Sequence, residues 1–270
     1  MFNNSELIDK ILAADSLSEY LLLCNIDSDS CIGSFAAGSI IQGWGNRDSD
    51  IDIYLIVESL PPDYSLDDVH TSRGIQGDVH VTSKELFGRK TDIEVWTIDQ
   101  VMSVLDKMNV GESEYSSSLL LGFNYFELDF MEKLNHGRAI AGSLTVDQLK
   151  RKLKSSAWRD LLIEQALHLS DIYLEDALGQ LDASDLRSAI LSAKLAFGHS
   201  VDAVCINSGQ IGHSPKWRAK RMETISDSCM SFEDYWAIET MASYSPEQGE
   251  RWATEVIRMC RKISANIPVR

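Results

Sequence analysis

An α+β fold is predicted for this chain of 270 residues: a small mixed β-sheet domain over residues 1–140, followed by a C-terminal helical bundle over 141–270. Three observations predict it. Between Cys31 and Ile98, apolar residues alternate or run in short blocks between turn residues, which is the pattern of strands. From Thr97 onward the apolar spacing becomes helical. The second half also carries repeated helix-start signals, Ser or Asp caps and Ser-Pro pairs.

Taken in order, strands are expected over 31–36, 50–57, 78–82 and 91–98. Pro61-Pro62 and the stretch from Gly74 to Gly77 mark loops between them. Thr97 is suited to cap a helix over 99–108, and a second helix is expected over 113–135, ended near Gly137. A third begins at Thr145. Later starts are read at Ser184 or Asp185, at Ser214-Pro215, at Ser231 with Asp234, and at Ser245-Pro246. With no repeat, low-complexity stretch or long linker, the two halves are expected to pack together around a site in the cleft between them.

The segment with chemical content is Gly38-Ser39-Ile40-Ile41-Gln42-Gly43-Trp44-Gly45-Asn46-Arg47-Asp48-Ser49-Asp50-Ile51-Asp52-Ile53. A Gly-Ser turn leads through a glycine-bearing loop into a strand whose Asp50 and Asp52 are spaced i, i+2. The pleat sends such a pair to one face, with Cα atoms about 6.6 Å apart. Carboxylates at that spacing suit Mg²⁺, which takes hard oxygen ligands and is usually shared between one or two carboxylates and substrate phosphates. Ser39 and the loop after it can turn N–H groups and a hydroxyl toward phosphate oxygens. Ile51, Ile53, Leu55 and Val57 should face the opposite side and anchor the strand. Trp44 is expected to pin the loop rather than to stack on a base.

This string resembles the active-site motif of the nucleotidyltransferase superfamily that includes DNA polymerase beta, and most nearly its small-molecule branch, the aminoglycoside adenylyltransferases. Gly38, Ser39, Asp50 and Asp52 stand in register with that motif, with Gly43 and Ser49 also where the branch often has them. The resemblance implies a third carboxylate on a later strand. Thr91-Asp92-Ile93-Glu94-Val95-Trp96-Thr97-Ile98 alternates so that Asp92, Glu94 and Trp96 share a face, and either acid can fill the place. Similarity to the Leu-Glu-Val-Thr segment of the streptomycin and spectinomycin enzymes favours Glu94, as general base and as a further metal ligand. Gly209-Gln210-Ile211-Gly212-His213-Ser214-Pro215-Lys216 is similar to a stretch of those enzymes whose lysine meets the nucleotide phosphates, which implies that role for Lys216; an arginine they carry about one helix earlier has no clear counterpart here, Lys194 and His199 being the candidates to replace it. The resemblance therefore implies an enzyme that uses Mg²⁺ and ATP to transfer AMP to a hydroxyl of a small molecule such as an aminoglycoside, with Gly38, Ser39, Ser49 and Lys216 seating the nucleotide and Asp50, Asp52 and Glu94 doing the chemistry. A protein or nucleic-acid acceptor, or a non-catalytic nucleotide-binding scaffold, is the alternative.

Composition narrows the partners. The formal charge is −16, from 41 acids and 25 bases, and a nucleic-acid track needs a basic surface. The two short basic runs, 150–154 and 216–221, read as solvated helix faces. An acidic cleft attracts a polycationic acceptor over long range. No run of 18 apolar residues and no positively charged leader is present, so neither a membrane span nor secretion is expected. The five cysteines are odd in number and scattered, which fits reduced thiols in the cytoplasm. No His-Glu-x-x-His, Gly-x-Ser-x-Gly or P-loop string occurs.

Overall fold

A computed structural model describes residues 4–61, 64, 72–74, 77–108, 122–226 and 229–268. Pro62 and the expected helix start at Ser113 lie outside the described residues. The chain divides into two compact units, Met1–Ser113 with Gly122–Ser156, and Glu114–Leu121 with Ala157–Arg270.

The first unit runs α1 (Asn4–Ile11), α2 (Ala14–Leu23), β1 (Cys31–Ala37), α3 (Gly38–Ile41), β2 (Ile51–Val57), β3 (Ser72–Gly74), β4 (Gly77–Leu86), β5 (Arg89–Thr97), α4 (Ile98–Asp106), α5 (Tyr125–His136), β6 (Arg138–Ala141) and α6 (Ser143–Ser155). The strands form one mixed sheet in the order β3-β4-β5-β2-β1-β6. Among the described strands, only β2 and β5 pair in parallel, in a register that sets Asp52 beside Asp92, Tyr54 beside Glu94 and Ile56 beside Trp96. β1 runs antiparallel to both β2 and β6, and β4 antiparallel to β5.

Each expected strand is present, with shifted ends. The strand expected over 78–82 extends to Leu86, because Phe87 and Gly88 turn the chain with φ of 54° and 71°. Two consecutive positive φ values make the tight turn whose twist matches a hairpin, so pairing with β5 carries β4 through the polar Lys84 and Glu85. The sheet unit also extends past residue 140 to Ser156. β6 hydrogen-bonds to β1, and Val146 of α6 packs against Gly33, so these residues continue the sheet's packing.

Both faces of the sheet are buried. Ile51, Ile53, Leu55 and Val57 face one side, as the alternation requires, and pack with Leu7, Ile11, Tyr20 and Leu21 of α1 and α2 and with Ile93 and Val95 of β5. The other side is aromatic. Phe35 stacks on Tyr54 at 4.7 Å, and Phe130 of α5 closes on Trp96 at 4.4 Å and on Phe35 at 6.0 Å. Rings at these separations add specific geometry to their buried area.

Caps set the helix boundaries. Thr97 and Gln100 form a reciprocal capping box at α4. Asn124 and Glu127 do the same at α5, so that helix begins at Tyr125, and it ends at Gly137 as expected. Gly137 admits no side chain: a Cβ there would lie 2.5 Å from the Phe35 ring.

The second unit contains α7 (Trp158–Asp182), α8 (Leu186–Asn207), α9 (Arg218–Glu223), α10 (Phe232–Glu239) and α11 (Gly249–Asn266). Asp185 and Ser231 cap α8 and α10 by accepting the backbone N–H groups of Ser188 and Asp234. α8 is long and apolar enough, by length and composition, to cross a membrane, but 72% of that stretch is buried inside the protein, as in a core helix. Its Ser200 hydroxyl meets that of Ser170 on α7, which satisfies both inside the packing.

Candidate active site

The site begins at the turn after β1. Gly38 has φ of +82°, a conformation that costs a residue with a Cβ energy, and a Cβ there would stand 1.9 Å from Asp52 Oδ2. Glycine is thus required by two independent constraints. The same turn continues through Ser39 into the short α3. The Ser39 carbonyl accepts the N–H groups of Trp44 and Gly45 at 2.8 Å each, which folds the loop back on itself.

The far side of the loop is tied down by Arg89 at the start of β5. Its guanidinium donates to the carbonyl oxygens of Asn46 at 2.6 Å, Arg47 at 2.8 Å and Ser49 at 3.2 Å. The Ser49 hydroxyl accepts the Asn46 N–H at 2.9 Å and donates to its side-chain oxygen at 3.2 Å. Ser49 therefore holds the loop's shape. Trp44 is half-buried in a loop pinned through its backbone, with Asn4 reaching over from α1 to the Gly45 carbonyl.

β2 starts at Ile51, so Asp50 sits just before the strand, half-exposed and 3.7 Å from the Lys90 ammonium. Asp52 lies within the strand, about a quarter exposed, and its Oδ2 accepts from Lys133 Nζ at 3.0 Å. Burial pushes the Asp52 carboxyl up, the Lys133 ammonium opposes this, and the Asp92 and Asp50 charges add to the rise.

The rival third acids are separated by their partners. Asp92 accepts from Lys90 at 2.6 Å and from the Ser83 hydroxyl across the hairpin. Glu94 accepts from Trp96 Nε1 at 2.9 Å, two residues along its own strand. Burial raises the Glu94 carboxyl to about 7; the indole hydrogen bond resists this, and the Asp129 and Asp52 charges reinforce it. The parallel register leaves Glu94 one step along the sheet from Asp52.

Two residues that the sequence did not single out complete the site. Lys133 and Asp129 stand four apart on α5, and that helix lies over the aromatic face of the sheet. Lys133 reaches Asp52, while Asp129 accepts the Tyr54 hydroxyl at 3.3 Å. Burial works against charge on Lys133, but Asp52 and Asp129 outweigh it and hold the ammonium up to about 12. An acid and a lysine at i, i+4 on a helix are an ordinary surface pair in sequence. Only the seating of Phe130 between Phe35, Tyr54 and Trp96 aims them at the acids.

Among the described residues, no three His, Cys, Asp or Glu side chains are gathered to hold a metal ion. A magnesium site completed by substrate phosphates needs only one or two carboxylates. Asp52 and Asp50 fit that smaller requirement, and the buried Gly38 backbone lies directly against the Asp52 carboxylate.

Lys216 belongs to the second unit. It lies exposed in a 3₁₀ turn, Pro215–Trp217, with its ammonium 5.5 Å from the Trp217 ring centre, so it does not open an α-helix as expected. The helix that follows has six residues. The neighbouring cations are committed within their own unit: Arg218 and Arg221 both pair with Asp202, at 2.8 and 3.2 Å, and Lys194 donates to the Glu239 carbonyl. His199 stacks on Tyr173, and burial lowers its pKa.

No family model matches the sequence, and no curated protein is similar to it. Among solved structures, a nucleotidyltransferase-like protein from Exiguobacterium sibiricum 255-15 is similar over 94% of this chain and 74% of its own, at 12% identity and a TM-score of 0.47.

Proposed function

We propose that this protein transfers a nucleoside monophosphate, AMP from ATP, to a hydroxyl group of a small molecule such as an aminoglycoside, releasing pyrophosphate. The observation that carries this reading is the fit of Asp52 against Gly38. The carboxylate occupies the space that any side chain on the turn would fill, so acid and turn backbone are in direct contact. That juxtaposition suits a phosphate held between backbone N–H groups and a carboxylate-bound cation.

The roles follow from position. Asp50 and Asp52 would hold magnesium, which neutralises phosphate charge when bound. Ser39 and the Gly38 turn would receive phosphate oxygens. The acceptor oxygen forms a bond to the α-phosphorus as the bond to the pyrophosphate oxygen breaks, and Glu94 takes the acceptor's proton. A carboxyl raised to about 7 by burial suits that step, because a base works best with a pKa near the working pH. The chain's net charge of −16 favours a cationic acceptor.

The test is transfer of label from α-labelled ATP to members of an aminoglycoside panel in the presence of magnesium, with Asp52→Asn as the control. A mass gain of one AMP on an acceptor, lost in Asp52→Asn, supports the reading. No labelled acceptor together with no calorimetric binding of ATP would overturn it.

A further inference from the structure

Lys133 sits in the place where a cation belongs. Its Nζ is 3.0 Å from Asp52 Oδ2 and within 3.5 Å of where a Gly38 Cβ would stand, so the ammonium lies at the junction of carboxylate and turn. Lys133 and Asp52 form an ion pair in which both side chains are mostly buried. A surface lysine has no such neighbourhood. Here Phe130 and Leu134, both fully buried on α5, fix the helix that carries it.

We propose that Lys133 is a resident cation that keeps the Asp52 carboxylate closed to a divalent ion until a nucleotide phosphate draws the ammonium away. This rests on the reading of Asp50 and Asp52 as the cation-holding pair given above. An ammonium and a divalent ion cannot share one partly buried carboxylate oxygen without strong mutual repulsion. With no third carboxylate gathered at Asp52 among the described residues, the protein alone offers too few ligands to expel the lysine. A triphosphate changes both conditions, because it adds oxygen ligands for the metal and an anion for the ammonium. Asp129, one turn back on α5, gives the displaced ammonium a second counter-charge, so Lys133 need not leave the site uncompensated. Metal binding then depends on nucleotide, which prevents the acids from being occupied by whatever divalent ion is in excess.

The experiment is titration of the whole protein with Mn²⁺ alone, following the free-ion paramagnetic resonance signal. Wild type should bind weakly. Lys133→Gln should bind at least tenfold more tightly, Lys133→Arg should behave as wild type, and Lys133→Gln with Asp52→Asn should lose the gain. The last variant subtracts binding to other surface acids, and circular dichroism confirms that each variant folds. Equal Mn²⁺ affinity in wild type and Lys133→Gln would overturn the proposal, as would a gain that survives loss of Asp52. Adding a non-hydrolysable ATP analogue should bring Mn²⁺ to wild type. If it does not while Lys133→Gln keeps its gain, the lysine closes the acids as inferred and the nucleotide reading fails.

Discussion

Lys133 and Asp52 are 81 residues apart in sequence and meet at 3.0 Å. The contact joins a helix to the central parallel strand pair and makes the candidate site a product of packing on the sheet's aromatic face. It also sets the first prediction. A cycle of Lys133→Met, Asp52→Asn and the double variant should show coupling of about 1 kcal/mol in urea unfolding, toward the lower part of the range for contacting residues because both side chains retain some exposure. Additive effects would mean the pair is not formed in solution.

Gly38→Ala should destabilise the fold by about 1 to 2 kcal/mol from its left-handed backbone alone. The new Cβ must also displace the Asp52 carboxylate. Transfer activity should therefore fall far more than stability. By contrast, Gly43→Ala shares the positive φ but meets no atom within 4 Å, so it should cost stability and leave Asp52 in place. Thermal melts of the two variants beside transfer rates make the comparison.

Glu94 gives a pH signature. Its folded pKa, about 7, lies above the ordinary carboxyl value of 4.5, so the folded state holds its proton more tightly than the unfolded chain does. The stability associated with that proton is complete below about pH 4.5 and is lost as pH rises through 7. Glu94→Gln should thus be close to neutral at pH 4.5 and more stable than wild type at pH 8, by at most about 3 kcal/mol at 1.36 kcal/mol per unit. Chemical denaturation of both proteins at the two pH values reads this directly, and a constant difference would show that Glu94 titrates normally.

The two acids of β5 should differ in kinetics. Asp92 is engaged by Lys90 and Ser83 on the hairpin, so Asp92→Asn should change transfer less than about tenfold. Loss of a general base typically costs on the order of a hundredfold to ten-thousandfold, and Glu94→Gln should fall in that range while still binding Mg·ATP. The reverse order would transfer the role to Asp92.

The sequence by itself determined four of the sheet's strands, β1, β2, β4 and β5, the turn at Gly38, the inward face of Ile51, Ile53, Leu55 and Val57, and the caps at Thr97 and Ser231, with the cap of α8 narrowed to Ser184 or Asp185. These are local matters, because strand alternation, left-handed glycine and cap hydrogen bonds involve residues within a few positions of each other. The extent of β4 through Leu86 was not legible, since its polar end is held by cross-strand pairing with β5. Nor was the membership of β6 and α6 in the sheet unit, which rests on β1 at a distance in sequence. The acids themselves were readable as a motif, but their states were not. Asp50 falls just outside the strand, Asp52 is occupied by Lys133, and Glu94 is raised by burial beside Asp129, all through side chains delivered by α5 and β5. A carboxylate's charge depends on every neighbour within a few ångströms, and only tertiary packing decides which neighbours those are.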